Sequence, residues 1–149
     1  MTSFSTPEEA ARGNLREEYV RVVGVAIRGD QAVVAQIMNA DSYPSAYEIE
    51  TAMCYRTSDG WELASSGNYN IPFIPTGDDR CTAVWWDEAP EGVSGARIRL
   101  GNEEQEVCVR DGFFFVTFDD VALRNPEIRA NWPRPTVEEW IRASEDDSR

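Results

Sequence analysis

Carboxylates are the side chains in this sequence best suited to chemistry, because 27 of its 149 residues are Asp or Glu. Three adjacent acid pairs stand out: Asp78-Asp79, Asp87-Glu88 and Asp119-Asp120. Calcium binding needs several converging oxygens, and glycoside hydrolysis needs two carboxyl groups about 5–10 Å apart across a cleft. No calcium loop of the DxDxDG type is present, and abundant acids make chance pairs common. We therefore expect solvated turns, with no catalytic residue and no metal site.

Histidine and lysine are absent, and all 14 basic residues are arginine. Their absence excludes a Ser-His-Asp triad, a Cys-His pair, histidine-bound zinc and Schiff-base chemistry. The three cysteines, Cys54, Cys81 and Cys108, are far apart and form no CxxC motif, so neither a disulfide framework nor a zinc knuckle is expected. We expect them to act as small, inert hydrophobic residues in a protein that needs no cofactor and is not an enzyme.

Aromatic side chains are the better candidates for a binding surface. Neighbours on a strand point to opposite faces, so Trp85 and Trp86 cannot both fill one core. The candidate ligand- or partner-binding residues are Tyr69, Phe73, Trp85, Trp86, Phe113 and Phe115. The alternative is that Trp132 or a C-terminal helix covers the patch formed by Phe113, Phe115 and one of the two tryptophans, because large exposed apolar patches are rare on monomers. For Tyr69 and Phe73 the alternative is plain turn chemistry.

The net charge of -13 limits the kinds of partner this chain can have. A field of this sign repels nucleic-acid phosphates and anionic lipids, so we expect no nucleic acid and no membrane. A basic protein partner or a homo-oligomer is favoured, unless the acidity serves solubility alone. The sequence shows neither the pattern of a signal peptide nor a transmembrane segment, and we expect a cytoplasmic protein.

A short helix and a tight hairpin are predicted at the start of the chain. Thr6, Pro7 and Glu9 form the pattern of a capped helix that ends near Gly13-Asn14. Two β-branched runs around Gly29-Asp30 then predict a hairpin. Apolar residues occupy both faces of these runs, so we expect the pair to be central and covered on both sides.

A second hairpin is predicted from Tyr47 to Ser65, with the turn at "TSDG". Its first strand alternates between apolar and charged residues, which is typical of an antiparallel strand with one wet face. Trp61 and Leu63 continue its apolar side. The following stretch, Ser66 to Arg80, is rich in Gly, Pro, Asn and Asp and is interpreted as a long, functional or mobile loop.

The segment "ARIRLGNEEQEVCVRDGFFFVTFDD" predicts a three-strand meander. Its turn at Gly101-Asn102 places Arg99 opposite Glu104 and Arg97 opposite Glu106, two favourable cross-strand pairs. One face collects apolar side chains and a single polar one, Gln105. The apolar members are Ala96, Ile98, Leu100, Val107, Val109, Phe114, Val116 and Phe118. The opposite face places Phe113 and Phe115 beside Cys108.

The segment "TVEEWIRASEDD" predicts a C-terminal helix over Thr136 to Ser144. Thr136 can cap it with Glu139 three residues later, and Glu138 and Arg142 have the spacing of an i, i+4 pair. The apolar stripe is Val137, Trp140 and Ile141. We expect this stripe to cover one of the two adjacent tryptophans.

These elements together predict a mainly β fold. We expect an antiparallel β-sandwich or a strongly curved sheet of about eight strands, with short N- and C-terminal helices. Residues 1–149 should form a single domain, in which 1–66 and 81–149 are possible subdomains joined by the loop 67–80.

The stretches "RTSDGWELASSGN" and "ARIRLGNEEQEVCVRDGFFFVTFDD" resemble small acidic β-rich proteins of GC-rich bacterial genomes. That set shares a helix, a "DG-W" hairpin and a terminal "VRDG-aromatic" hairpin. The first half is also faintly similar to the strand region of cystatin-like and nuclear transport factor 2-like domains, in which a "DG-W" turn joins long strands. The resemblance implies a β-rich fold and brings no catalytic residue with it.

The function predicted from these observations is that of a non-enzymatic, protein-binding or self-associating domain. An acidic accessory, inhibitor or immunity-type protein would fit this description. The alternative is a small-molecule or carbohydrate-binding domain with Asp/Glu-based hydrolase activity. That alternative requires a deep pocket that holds an indole and two converging carboxylates.

Overall fold

The computed structural model describes residues 3–67, 72–126, 128, 130 and 132–142. Its α-helix is α1 (Pro7–Arg12), and two 3-10 turns, Glu17–Tyr19 and Ala40–Ser42, flank the first hairpin. The strands are β1 (Val20–Arg28), β2 (Gln31–Met38), β3 (Glu48–Thr57), β4 (Gly60–Gly67), β5 (Phe73–Gly77), β6 (Arg80–Glu88), β7 (Val93–Leu100), β8 (Glu103–Cys108), β9 (Phe113–Ala122) and β10 (Thr136–Arg142). Within these residues, no helix is long and apolar enough to cross a membrane.

The strands form three antiparallel sheets, which confirms the predicted mainly β, sandwich-like fold. The first sheet has the order β1-β2-β3-β4, the middle sheet β5-β6-β9 and the third sheet β10-β7-β8. Val84 and Trp86 on one face of the middle sheet pack with residues of the first sheet. Ala83 on the other face packs with Ala96 and Ile98 of the third sheet. The middle sheet is therefore covered on both sides, and β6 lies at its centre.

Helix α1 covers the outer face of the first sheet. The Thr6 hydroxyl accepts the Glu9 backbone N–H at 3.2 Å, and Gly13 ends the helix with a φ of 61°. Ala10 and Ala11 pack in one cluster with Ala52 and Cys54 of β3. The expectation of a wet face on β3 was wrong at its middle, because this helix excludes water there.

The first hairpin is covered on both faces only along β2. Residues 32–37 of β2 are completely buried, as predicted for a central strand. Strand β1 is instead an edge of the first sheet, and its Val22 and Ile27 are 41% and 45% exposed. The prediction was wrong for β1, because strand order decides which member of a hairpin becomes central.

Trp61 lies on the helix-covered face of the first sheet rather than on the apolar side predicted for it. It is opposite Arg56 in the β3–β4 register and packs with Ala10 and Ala11. Leu63 lies opposite Cys54 and is 45% exposed, because the six-residue helix is too short to cover it.

The predicted meander is correct for β7 and β8 and wrong for β9. Arg99 is paired with Glu104 and Arg97 with Glu106, as the charge pattern predicts. After the turn at Asp111-Gly112, only an isolated bridge joins Arg110 to Phe113, and β9 then pairs with β6 in the middle sheet. The apolar residues assigned to one face do meet, but they meet across two facing sheets.

Gln105 connects these two sheets. Its amide nitrogen donates to the backbone carbonyl of Thr117 in β9 at 2.7 Å. Gln105, the one polar residue of the predicted apolar face, therefore links β8 to β9 by a side-chain hydrogen bond, although these two strands form no backbone ladder.

The predicted C-terminal helix is a strand, β10, paired with β7. A register shift between Val137 and Glu139 places Val137 and Trp140 in the core with Ile98. Glu138 bonds Arg99 at 2.6 Å and Glu139 bonds Arg97 at 2.9 Å, so the predicted Glu138–Arg142 pair was wrong. A β-bulge thus produced the apolar spacing of a helix. Residues 143 and 144 of the predicted helix lie outside the described residues.

The stretch Ser66 to Arg80 is not a loop throughout. Strand β5 occupies part of it and pairs with β6 through Phe73–Ala83 and Ile74–Thr82. Pro75 fits there because β5 is an edge strand, in which one side of the backbone needs no ladder partner.

Candidate functional site

Trp86 is enclosed between the first and middle sheets. Its indole is completely buried, and its Nε1–H donates to the Thr51 hydroxyl at 2.8 Å. Phe113, which is 2% exposed, lies beside it with ring centroids 6.0 Å apart. These two candidates are core residues, and the structure does not offer them as a surface platform.

Trp85 faces the third sheet and is half-buried. Its ring meets Phe114 edge-on at a centroid distance of 4.9 Å, and Phe114 in turn lies 5.8 Å from Trp140 of β10. Trp85 and Trp140 therefore pack against the same apolar cluster, but the helix predicted to cover Trp85 is a strand. Trp85 therefore packs between the middle and third sheets, and Trp86 packs between the first and middle sheets.

Phe113 and Phe115 do lie near Cys108, as the predicted opposite face required. They line an open recess of about 330 Å³ together with Val23, Val107 and Arg110. This recess forms where the start of β9 passes between the edge of the first sheet and the end of β8. The thiol of Cys108 is exposed there, whereas neither Trp85 nor Trp86 reaches the recess.

Phe73 contributes to a different recess, which is small and almost entirely apolar. It has a volume of about 190 Å³ and is lined by Met53, Pro72, Phe73 and Trp132. The Trp132 ring meets Phe73 edge-on at 5.4 Å, and its Nε1–H donates to the Pro126 carbonyl at 2.7 Å. Both rings are only half-buried. The remaining candidate, Tyr69, lies outside the described residues.

The acid pairs do not converge on a common site. Asp119 accepts hydrogen bonds from Arg28 at 2.7 and 3.2 Å and from the Thr82 hydroxyl at 2.6 Å, and these bonds lower the pKa of its carboxyl. Asp120 pairs with Arg80 at 3.6 Å. Asp78 and Asp79 form the exposed turn before β6. No cluster of three or more Cys, Asp and Glu side chains within the described ranges is suited to a metal ion.

The groove that contains Asp119 and Asp120 is wide but holds no indole. Its volume is about 760 Å³, and Glu103 and Arg80 also line it. The recess of Phe73 and Trp132 has an indole but no carboxylate. Neither site therefore combines the two features that the hydrolase alternative requires.

Two of the three thiols are enclosed. Burial raises the pKa of Cys54 to about 11, with the negative charge of Glu8 adding to the effect, and burial alone raises the pKa of Cys81 to about 11. Cys54 also donates weakly to the Pro7 carbonyl at 3.7 Å. Cys54 and Cys81 have the environment of small core residues, and the exposed Cys108 does not.

Sequence reasoning missed two features of this surface. Trp132 lies in the irregular stretch "ANWPRP", where no period links a side chain to a face, so the sequence indicates it only as a cover for other rings. Tyr47 donates to Glu88 at 2.5 Å, and burial together with this carboxylate raises the pKa of Tyr47 to about 12. Only the pairing of separate sheets brings Tyr47 and Glu88 together, so no local signal could have found that contact.

No protein-family model, no curated protein and no solved structure matches this chain. The likeness to small acidic bacterial proteins therefore stays a prediction.

Proposed function

We propose that this chain is a non-enzymatic protein-binding domain that binds a basic partner at the recess of Met53, Pro72, Phe73 and Trp132. The observation that carries the proposal is the partly exposed Trp132–Phe73 pair in a recess with no charged lining residue. Tryptophan is the residue type most enriched among energetic hot spots of protein interfaces, and such residues fill or form small apolar pockets.

The size of the recess favours a protein partner over a small molecule. Pockets for drug-sized ligands have volumes of about 300–1,000 Å³. This recess, at about 190 Å³, is smaller and suits one inserted apolar side chain. The hydrogen bond from Trp132 to Pro126 fixes the indole in advance, which reduces the entropy lost on binding.

The charge of the chain favours a basic partner. Arginine side chains on the outer face of the third sheet are already engaged, since Arg97 and Arg99 bond Glu104, Glu138 and Glu139. The net charge of -13 then leaves a negative field that accelerates the approach of a positively charged protein.

Affinity capture from lysate of the source cells tests the proposal. Tagged wild-type protein and two variants, Trp132→Ala and Tyr19→Ala, should be compared at about 0.05 M and about 0.5 M NaCl. Tyr19 is a matched control because it is an exposed aromatic residue, 39% accessible, placed before β1. Circular dichroism should show that all three proteins are folded.

We expect wild type and Tyr19→Ala to retain the same basic protein, identified by mass spectrometry, more strongly at low salt. Trp132→Ala should lose it at both salt concentrations, and the purified partner should reproduce this result. Equal retention by Trp132→Ala would contradict the assigned surface. A lack of any retained protein, with a monomer in light scattering, would contradict the proposed function itself.

A further inference from the structure

A second recess lies beside a buried carboxylate at the β4 edge of the first sheet. It has a volume of about 270 Å³ and is lined by residues of α1, β3, β4 and the N-terminal segment. The lining residues are Phe4, Ala10, Gly13, Asn14, Tyr55, Glu62 and Leu63. The backbone of Phe4 holds the wall in place through two hydrogen bonds to Trp61, at 2.9 and 2.7 Å.

Glu62 is unusual among the acids that the structure describes. It is only 6% exposed, and its Oε1 atom is buried without a hydrogen-bond partner. It forms no salt bridge with any arginine of the described residues. Buried charges in proteins are normally paired, because an isolated one loses its hydration without compensation. Glu62 is itself one of the residues that line the recess.

The surroundings of Glu62 suit a cation with an apolar stem. Tyr55 is its cross-strand partner and Leu63 its neighbour in β4, and these two side chains are 37% and 45% exposed. Aromatic rings and a carboxylate together favour a guanidinium group, which can bond the acid and lie on a ring face.

We propose that this recess binds an arginine side chain of the basic partner, with Glu62 as the acceptor of its guanidinium hydrogen bonds. The inference rests on the proposed function, since it assigns a second contact to the same partner. Both recesses involve strand β3, since Met53 lines one and Tyr55 lines the other.

Titration with Nα-acetyl-arginine methylamide, followed by ¹H–¹⁵N NMR of the full chain, tests the inference without the partner. The matched probe is Nα-acetyl-citrulline methylamide, which has nearly the same shape but no charge. The matched variant is Glu62→Gln, and Tyr19→Ala serves as the unrelated control. Backbone amides of Gly13, Asn14, Tyr55 and Leu63 report on the recess.

We expect the arginine probe to cause saturable shifts at these amides in wild type and Tyr19→Ala, with a dissociation constant in the millimolar range, about what a single side chain can provide. The citrulline probe should bind at least about tenfold more weakly, and Glu62→Gln should weaken arginine binding by a similar factor. Equal binding of the two probes, or equal binding by Glu62→Gln, would overturn the inference.

Shifts spread over all the acidic surfaces without saturation would also overturn it, because they would indicate non-specific attraction. If Glu62→Gln does not fold, the comparison of the two probes on wild type decides the question alone. If the arginine probe does not bind at Glu62 but affinity capture still depends on Trp132, the arginine site is excluded and the proposed function is unaffected.

Discussion

Thr51 shows how one side chain allows a tryptophan to be enclosed in the main core. The indole N–H of Trp86 needs an acceptor once it is buried, and the Thr51 hydroxyl provides one from the facing sheet at 2.8 Å. In a strand with a simple amphipathic pattern, the sequence gives no sign that a threonine hydroxyl is needed as a hydrogen-bond acceptor. Here its hydroxyl is the reason that Trp86 can be a core residue rather than a surface one.

We predict that Thr51→Val destabilises the fold by about 1–3 kcal/mol, because the buried indole N–H loses its acceptor while the side-chain volume stays nearly constant. Thr51→Ser keeps the hydroxyl and should lose only about 1 kcal/mol for the missing methyl group. Urea unfolding of both variants checks this order. A Thr51→Val variant as stable as wild type would contradict the assigned role of the hydrogen bond.

The cysteines provide a second prediction at the residue scale. Cys54 and Cys81 are 3% and 0% exposed, and burial raises the pKa of each to about 11, whereas Cys108 is exposed. We expect Ellman's reagent to modify only Cys108 in the folded protein and all three thiols after unfolding. Cys108→Ser should abolish the reaction of the folded protein. Rapid modification of the folded Cys108→Ser variant would show that the core opens more easily than this fold implies.

Strand irregularities decide how the elements fit together. The register of β1 shifts between Val22 and Gly24, and the Phe115 ring of β9 packs directly over Gly24. The bulge in β10 turns Val137 and Trp140 to the same side. Each bulge therefore directs aromatic or apolar side chains into a contact between two sheets.

Gly24→Ala should destabilise the protein by about 1–3 kcal/mol, because an added Cβ would lie 2.3 Å from the Phe115 ring. Gly77→Ala is the control, since its Cβ would meet only Arg80 at an ordinary 3.8 Å. In a Phe115→Ala background the cost of Gly24→Ala should largely disappear. Chemical unfolding of the four proteins of this cycle measures the coupling, and additive effects would exclude a direct contact.

Asp119 joins β9 to β1 and β6 through Arg28 and Thr82, so its titration should couple to the packing of two sheets. Folding lowers the pKa of the Asp119 carboxyl. The ionised carboxylate therefore adds to the free energy of unfolding at every pH above about 4, the pKa of an Asp in the unfolded chain. This stabilisation is lost as the pH falls through the lower pKa of the folded chain. Because the carboxylate is 61% exposed, we expect this stabilisation to be less than about 1 kcal/mol. Asp119→Asn should reduce the loss of stability between about pH 4 and pH 2, and unchanged acid unfolding would contradict this coupling.

Part of the fold follows from the sequence because it is encoded locally. The turns at Gly29-Asp30 and Gly101-Asn102 and the pairing of Arg99 with Glu104 depend on residues close in the chain, and all three are found. The transfer of β9 to another sheet is not encoded at the Asp111-Gly112 turn. The sheet that β9 joins depends on whether pairing with β6 or with β8 buries its side chains better, and this is decided only when the core is assembled.

The candidate site was harder to predict than the fold for the same physical reason. Trp85 and Trp86 were recognised as facing opposite sides, but their covers come from three different sheets. Trp132 and Glu62 become notable only through neighbours distant in sequence, Phe73 for the first and the N-terminal segment for the second. Glu62 in particular has the sequence pattern of a solvated residue in an exposed strand.

At the scale of the whole molecule, the charge balance is the dominant property. The salt bridges connect side chains that are mostly one-third to four-fifths exposed, so each adds little to stability. The net charge of -13 acts across the entire surface and opposes the compact state through self-repulsion. The same field that favours a basic partner therefore reduces the stability of the free chain.

We predict that NaCl raises the Tm of this protein at pH 7, because screening reduces the net repulsion more than it weakens the exposed ion pairs. The effect should nearly vanish near pH 4.3, where the net charge is close to zero. Calorimetry at about 0.02 M and about 0.5 M NaCl at each pH checks this. A lower Tm in high salt at pH 7 would indicate that the ion pairs matter more than the net charge.

The most direct test of the central claim is ¹⁹F NMR of protein labelled with 5-fluorotryptophan, titrated with the partner identified by affinity capture. The chain has five tryptophans, and Trp132→Phe assigns the resonance of Trp132. We predict that the Trp132 resonance shifts on binding while that of Trp86, completely buried between two sheets, stays in place. A bound partner that leaves the Trp132 resonance unchanged would contradict the assignment of the binding surface.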